Sequence, residues 1–218
     1  MRRDGERAPR GESWQKVRVL RSPLNHSVWK GAVWFAVAVA LAGCHSKQDL
    51  PDLGHVPHFS ATDQQGKPLS DATMRGRVWA AAFIFTRCPT ACPRVTRVMR
   101  GVQQEAARRG VPLRLVSFSV DPDNDTPEVL RHYADQYQAD PSTWSFATGD
   151  ATAVKTIAEQ GFKIAVEGTA DPAKADFGIA HGTQLVLVDR DLEIRGYYAS
   201  NDGQALSALV TDAARLAR

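Results

Sequence analysis

The chain places two cysteines in the stretch Phe83-Ile84-Phe85-Thr86-Arg87-Cys88-Pro89-Thr90-Ala91-Cys92-Pro93. The apolar run from Val78 to Phe85 leads into this stretch and is typical of a buried strand. Each cysteine is followed by a proline, and the segment from Arg94 to Arg109 has the composition of a helix. The sequence therefore predicts a strand, a thiol pair and a helix start in immediate succession.

A thiol at a helix start has an unusual environment. The first N–H groups of a helix have no partner within it, and the helix dipole is positive at that end. A thiolate is favoured there over a thiol, so its pKa should fall below the value of a free cysteine. Pro93 fits the first helical turn, where a missing N–H costs nothing.

The spacing of Cys88 and Cys92 suits two kinds of site. Positions four apart along a helical turn are separated by roughly 6 Å, from the rise per residue. That separation is within the range for a disulfide, and it also suits two sulfurs on one soft metal ion. Two inert structural cysteines are a third possibility, but the flanking prolines and the helix start disfavour it. These residues alone leave a redox dithiol and a metal site as competing predictions.

The first 43 residues differ in charge from the rest of the chain. They contain eight Lys or Arg and three Asp or Glu, whereas the remaining residues contain nineteen and twenty-one. The basic excess belongs to this leader, so the body gives no electrostatic reason to expect nucleic acid as a partner. The apolar run from Gly31 to Ala42 is shorter than the 20 or so residues that span a bilayer. Its length and its basic flank are typical of a signal peptide.

The sequence Leu41-Ala42-Gly43-Cys44 resembles a bacterial lipoprotein processing site. The resemblance implies cleavage before Cys44, lipidation of its sulfur, and a lipid-anchored protein that faces the periplasm of the cell envelope. An uncleaved membrane anchor is the alternative. Residues 44–57 are predicted to be a linker, and residues 58–218 the folded domain. Lipidation of Cys44 leaves one cysteine pair, which in an exported compartment oxidises unless it is reduced or metallated.

The body alternates predicted strands and helices. Phe59 to Leu69 is predicted to form an N-terminal β-hairpin with a Gln65-Gly66 turn, and Ser70 to Gly76 a short turn. Further strands are predicted at Leu113–Val120, Trp144–Ala147, Gln184–Val188 and Ile194–Ala199. Helices are predicted from Pro127 to Gln138 with Thr126 as N-cap, from Ala151 to Gln160 with Asp150 as N-cap, and from Gln204 to Leu216. A long loop, Gly161 to Ala180, precedes His181. The pattern predicts an α/β protein with a mixed central sheet flanked by helices, and it resembles the thioredoxin fold.

Four features of the segment from Phe59 to Leu216 are specific in combination. They are the Phe…Thr-Asp-x-x-Gly-Lys opening, Thr-x-Cys-Pro-x-x-Cys-Pro, Ser-Val-Asp-Pro-x-x-Asp-Thr-Pro at Ser119 to Pro127, and the histidine before the last hairpin. The segment resembles the SCO/SenC family of copper chaperones in cytochrome c oxidase assembly. The resemblance implies a metallochaperone that delivers copper to the CuA site of the copper-bearing oxidase subunit. It also implies a copper donor or a thiol reductant as a further partner.

The resemblance implies that Cys88, Cys92 and His181 bind copper, with Asp121 and Asp125 as supporting residues. Cu(I) prefers thiolates and accepts imidazole, and Cu(II) is a second candidate ion. Three protein ligands leave an open coordination position on the copper ion, so that a ligand of a partner protein can bind there during transfer. The chain departs from the family in one respect. Thr90-Ala91 stands where family members often carry an acidic residue, and Arg87 precedes the first cysteine, so the site is predicted to be more cationic than usual.

An exported thiol–disulfide oxidoreductase that reduces the cysteines of a partner is the main alternative, with Cys88 and Cys92 as its redox-active pair. Thioredoxin-type reductases usually have two residues between their cysteines and a proline just before the position of Thr183, where this chain has Gly182. A peroxiredoxin-like peroxidase would carry a threonine three residues before its reactive cysteine, whereas Thr86 stands two before Cys88. The sequence therefore favours a metallochaperone over an enzyme.

Overall fold

The computed structural model describes residues 50–167 and 180–218. The predicted signal peptide of residues 1–43, the lipidation site Cys44 and residues 168–179 of the predicted loop lie outside the described residues. In the part of the chain that is described, no helix is both long enough and apolar enough to cross a membrane.

Strands and helices alternate along the described residues. The strands are β1 (Ser60–Asp63), β2 (Pro68–Ser70), β3 (Val78–Ile84), β4 (Leu113–Ser119), β5 (Trp144–Thr148), β6 (Val166–Glu167), β7 (Ala180–His181), β8 (Gln184–Val188) and β9 (Ile194–Ala199). The helices are α1 (Asp71–Met74), α2 (Ala91–Arg108), α3 (Pro127–Gln136), α4 (Ala151–Thr156) and α5 (Gly203–Leu216). A π-helical turn, Ile157–Gly161, follows α4 directly.

One mixed sheet of seven strands has the order β2-β1-β5-β4-β3-β8-β9. Strands β3, β4 and β5 are parallel to one another, whereas β8 runs antiparallel to both β3 and β9. The hairpin β1–β2 adds to the free side of β5 in antiparallel fashion. Strands β6 and β7 form a separate pair. Because β3 and β4 are parallel, their carboxyl ends meet at one edge of the sheet, where the cysteines and the two aspartates follow.

The central strand β3 is buried on both faces, which explains its unbroken apolar sequence VWAAAFI. Its alternate residues Ala80 and Ala82 pack towards α2, α3 and α5. Trp79 and Phe83 pack on the opposite face, where Phe83 stacks on Phe118 with 5.5 Å between ring centroids. The predicted α/β class, with a mixed sheet flanked by helices and an N-terminal hairpin, is confirmed.

Four predicted elements differ from the structure, and one of them, the helix predicted from Ala151 to Gln160, is α-helical only to Thr156 and continues as the π-helical turn. Helix α2 begins at Ala91, not at Arg94, so that Cys92 lies inside its first turn. The predicted turn from Ser70 to Gly76 contains the short helix α1, because Ser70 and Thr73 cap it reciprocally. The predicted loop contains strand β6, which pairs with β7. In the other three, the segment gains hydrogen bonds that its composition does not reveal.

The last part of the predicted linker belongs to the folded unit. The Leu53 N–H donates to the Ile194 carbonyl at 2.9 Å, and the Ile194 N–H donates to the Gly54 carbonyl at 2.7 Å. Val56 donates to the Leu192 carbonyl at 2.9 Å and is 1% exposed. The folded unit therefore begins before the predicted boundary at residue 58, and this segment covers the start of the edge strand β9.

The absence of a side chain at Gly161 allows Pro57 to pack closely against the backbone there. A methyl group at Gly161 would lie 2.6 Å from Cδ of Pro57. Gly161→Ala should therefore lower the free energy of unfolding by about 1–3 kcal/mol through overpacking. Gly101→Ala in α2 is the matched control, because apart from the neighbouring backbone of its own helix no described atom lies within 4 Å of a Cβ there. That control should gain about 0.5–1 kcal/mol. Urea unfolding measures both, and a Gly161→Ala protein as stable as the wild type would contradict this packing.

Candidate metal and thiol centre

Cys88 lies between β3 and α2, and its sulfur caps the helix. Among the described residues, the side chain of the N-cap residue Thr90 makes no capping hydrogen bond. The Cys92 N–H donates instead to the Cys88 sulfur at 3.4 Å. The N–H groups of Thr90 and Ala91 also donate to this sulfur. The sulfur thus satisfies N–H groups that a helix start leaves without an internal partner.

Cys92 lies in the first turn of α2 and is 0% exposed. The Phe85 N–H donates to its sulfur at 3.4 Å, and the two cysteine side chains are hydrogen-bonded to each other. The hydroxyl of Thr96 donates to the Cys92 carbonyl at 2.8 Å and lies 2.9 Å from the Tyr133 hydroxyl. The structure therefore brings the two predicted sulfurs together.

The two thiols differ in acidity. Burial alone would raise the pKa of Cys88, but the backbone N–H donors of Cys92, Thr90 and Ala91 outweigh it and hold this pKa below the ordinary value. Burial dominates at Cys92 and raises its pKa far above the ordinary value, and the Phe85 N–H offsets only part of this rise. Cys88 is therefore the thiol that ionises first, and Cys92 is its buried partner.

Asp125 fixes the turn that precedes Cys88. Its side chain is completely buried. Oδ1 accepts a hydrogen bond from the Thr86 hydroxyl at 2.5 Å, and Oδ2 accepts from the Thr86 N–H at 3.1 Å and from the Ser119 hydroxyl at 2.5 Å. Burial raises the pKa of Asp125 above the ordinary value, although the bonds from Ser119 and Thr86 oppose the rise. One carboxyl group thus links the end of β4 to the turn after β3.

Asp121 binds the arginine that precedes the first cysteine. Nη2 and Nε of Arg87 lie 2.7 and 3.1 Å from Asp121 Oδ2, and the Asn124 side chain donates to Oδ1 at 2.8 Å. The aspartate side chain is 3% exposed and the arginine side chain 27%. Such charge-assisted bonds are short and strong. The cationic character predicted from Arg87 is therefore balanced by the adjacent carboxylate of Asp121.

The backbone of His181 lies in β7, opposite Val166 of β6. Val166 lines a cavity of about 300 Å³ together with Asp121, so the β6–β7 pair lies at the same end of the sheet as the thiols. The imidazole of His181 and the whole of Cys44 lie outside the described part of the structure. Within the described residues, no three His, Cys, Asp or Glu side chains converge on one metal position.

Two residues that shape the site were missed by sequence reasoning as functional positions. Thr86 begins the motif that contains the cysteines, and Ser119 begins the motif that contains the two aspartates. Nothing in the sequence indicates that both hydroxyl groups bind the carboxyl group of Asp125. Ser119 could have been identified as a polar residue at the end of a buried strand, because a buried hydroxyl group needs a hydrogen-bond partner. No sequence signal predicts the contact of Tyr133 with Thr96, since 37 residues separate them.

The sequence matches the SCO1/SenC family model over residues 48–216. The SCO1 protein homolog of Bacillus subtilis is 29% identical to this chain, and the match covers 85% of this chain and 95% of that protein. A protein of Stutzerimonas stutzeri that is named for copper binding is 30% identical over 68% of this chain and 71% of that protein.

Solved structures share this fold. A SCO1/SenC family lipoprotein from Bacillus anthracis str. Ames has a TM-score of 0.70 and 31% identity, and the match covers 77% of this chain and 98% of that chain. BsSco, a member of the Sco family of cytochrome c oxidase assembly proteins in which a disulfide switch was identified, has a TM-score of 0.65 and 30% identity. That match covers 78% of this chain and 99% of BsSco. The fold is therefore thioredoxin-like, as the sequence predicts.

Alkylation tests the difference in acidity between the two thiols. In the reduced protein at neutral pH, iodoacetamide should modify Cys88 at least about tenfold faster than Cys92. A pKa difference of one unit between the two thiols already gives a tenfold difference in thiolate fraction. The rate at Cys88 should reach half its maximum below pH 9.0, the ordinary value for a thiol. Mass spectrometry of quenched samples measures both rates. Faster modification of Cys92 would contradict the assignment.

Asp125→Asn tests the buried carboxyl group. Because the pKa of Asp125 is raised in the folded state, its contribution to stability is fully present below the unfolded pKa of about 4 and is lost as the pH rises through the folded pKa. The stability of the wild type relative to Asp125→Asn should therefore fall between acidic and neutral pH. Asp123→Asn, at an exposed position, is the control. Denaturant unfolding over this range measures the difference, and a constant or rising difference would contradict the raised pKa.

Proposed function

The chain belongs to the SCO1/SenC family, and from this membership and the site geometry we propose that it is a metallochaperone that delivers copper to cytochrome c oxidase. The observation that carries the proposal is the contact between the Cys88 and Cys92 side chains at the start of α2. Thiolates are the ligands that Cu(I) prefers. The copper-binding name of the Stutzerimonas relative and the oxidase-assembly role of BsSco support the same cargo and client here.

We assign copper to Cys88, Cys92 and His181. Cys88 offers a thiolate readily because its pKa is lowered. Cys92 holds its proton until a cation replaces it, because burial raises the pKa of this thiol. Copper binding therefore releases a proton from Cys92. His181 is the proposed third ligand, and the position of β7 at the thiol end of the sheet supports it. Three protein ligands leave the ion accessible to an incoming ligand of the client.

Asp121 and Asp125 hold the site in shape and do not bind the ion. Asp125 fixes Thr86, and Asp121 fixes Arg87, so both residues before Cys88 are anchored to the loop after β4. A metal site whose backbone is anchored in this way needs less reorganisation when the ion binds. The carboxylate of Asp121 also keeps the Arg87 charge paired, so that this charge opposes a bound cation less.

We further propose that residues 1–43 are a signal peptide and that the protein is anchored in the bacterial cell envelope, facing the periplasm, through a lipid on Cys44. The Leu41-Ala42-Gly43-Cys44 sequence supports lipidation, and the Bacillus anthracis relative is a lipoprotein. Residues 44–49 then connect the lipid to the folded unit. Incorporation of labelled palmitate into the wild type and its loss in Cys44→Ser would support the anchor.

Thiol–disulfide exchange is the second candidate function, and the unequal acidity of the thiols favours it. The Cys88 thiolate attacks one sulfur of a partner disulfide, which forms a mixed disulfide and releases the other partner sulfur as a thiolate that takes up a proton. Cys92 then loses its proton and attacks the Cys88 sulfur. The second partner sulfur leaves as a thiolate, and Cys88 and Cys92 end as a disulfide. The partner gains the two electrons that this pair loses.

Anaerobic competition with a Cu(I) chelator tests the metallochaperone. The reduced full chain should bind one Cu(I), and Cys88→Ala and Cys92→Ala should each lose binding by a factor of about 100 or more, from the loss of a charged ligand. His181→Ala should weaken binding to a smaller extent. His132→Ala, at an exposed position of α3, is the control and should bind as the wild type does. Failure of the wild type to compete would reject the proposal.

His181→Ala also separates the two functions. A metal ligand at this position contributes to copper affinity but has no part in the sulfur exchange described above. The variant should therefore lose copper affinity and still reduce a model disulfide at the wild-type rate. Equal losses of both activities would show that His181 acts in another way.

A further inference from the structure

Three arginines surround a cavity at the end of the sheet where β3 and β4 begin. The cavity has a volume of about 350 Å³, and its lining includes Arg77, Arg114 and Arg190. No Asp or Glu of the described residues lines it. This set of three residues is called the arginine end. It lies opposite the thiols, because β3 runs from Val78 beside it towards the turn that carries Cys88.

The arginines of this set bind main-chain carbonyl groups. Nε of Arg77 donates to the Thr73 carbonyl at 3.3 Å. Arg114 donates to the Ser142 carbonyl, and Arg190 to the Ala217 carbonyl. A guanidinium group has five N–H donors, so each of the three keeps donors for a further acceptor.

Positive charge is crowded at this end. Burial and the nearby charge of Arg77 lower the pKa of Arg114, and Asp140 opposes this effect. An adjoining cavity adds Arg100 and Arg108, with Asp140 as the one carboxylate in its described lining, and Arg108 is ion-paired with Glu105. Like charges held together repel each other. An anion placed between them removes this cost, and phosphate matches the paired donors of a guanidinium group.

The chain enters the folded unit at this same end. The carbonyl of Leu50 accepts a hydrogen bond from Nη2 of Arg195 at 2.6 Å. Nη1 of Arg195 lies 3.4 Å from Asp189, which is next to Arg190 in the turn between β8 and β9. Cys44 precedes Leu50 by six residues, which span about 20 Å at most. A lipid on Cys44 therefore keeps the arginine end within reach of the membrane surface.

We propose that the arginine end binds the phosphate groups of anionic phospholipids in the membrane that carries the anchor. The orientation in this proposal rests on the lipid anchor of the proposed function. β3 has seven residues and is about 20 Å long. With the arginine end on the membrane, the thiols lie at the far end of this strand and face away from the membrane surface.

Hydrogen–deuterium exchange of the full chain on vesicles tests the proposal. The vesicles contain phosphatidylcholine alone, or phosphatidylcholine partly replaced by phosphatidylglycerol. The chain should bind the anionic vesicles about fivefold more tightly or better, which is the factor that one basic residue near such a surface contributes, and peptides that contain Arg77 and Arg114 should exchange more slowly there. Added salt should remove the difference, because it screens charges at the surface.

Three triple variants provide the comparison. Arg77→Gln/Arg114→Gln/Arg190→Gln should abolish the protection, whereas substitution of the same three residues by Lys should keep most of it. Arg94→Gln/Arg97→Gln/Arg131→Gln removes three exposed charges near the other end and should exchange as the wild type does. Protection that persists in the first variant, or that is absent in the wild type, would overturn the proposal.

Two further measurements on the same vesicles distinguish a lipid phosphate from a soluble phosphate and test the lipid anchor separately from the arginine end. Inorganic phosphate added to phosphatidylcholine vesicles should not reproduce the protection, and if it does, the arginine end binds a soluble anion instead. A full chain that fails to sediment with phosphatidylcholine vesicles would refute the lipid anchor. Salt-sensitive binding of that chain to anionic vesicles would still support the arginine end, and its absence would overturn it.

Discussion

The hydrogen bond from the Phe85 N–H to the Cys92 sulfur joins the end of the central strand to the first turn of α2. Together with the bond from the Cys92 N–H to the Cys88 sulfur, it determines where the chain turns and which way both side chains point. The Cys88 sulfur takes the place of a conventional helix cap, and the Cys92 sulfur ties the first turn of the helix to the strand. Removal of either sulfur would therefore affect the start of the helix as well as the chemistry of the site.

Two aspartates hold this turn in place through side-chain hydrogen bonds. Asp125 is completely buried and holds Thr86 and Ser119, so it ties the carboxyl ends of β3 and β4 to each other. Asp121 holds Arg87. The proposed copper site would combine the sulfur pair at the start of α2 with a histidine in the short β6–β7 pair. This division suits a protein that must bind an ion tightly and still pass it on, because one ligand can belong to a less extensively paired segment.

Local patterns predicted most of this fold. The apolar run of β3, the N-caps Thr126 and Asp150, and the last hairpin follow from periodicity and turn chemistry within a few neighbouring residues. The features that could not be predicted join distant residues. Thr86 and Asp125 are 39 residues apart, and Leu53 meets Ile194 across most of the domain. The start of α2 at Ala91 was missed because its cap is a cysteine sulfur, which propensities for helix caps do not include.

X-ray absorption at the copper edge of the Cu(I)-loaded full chain tests the central claim most directly. The spectrum of the wild type should require two sulfur ligands and one imidazole nitrogen, and the nitrogen contribution should disappear in His181→Ala while both sulfurs remain. A wild-type spectrum without sulfur, or an unchanged nitrogen contribution in His181→Ala, would contradict the proposed copper site.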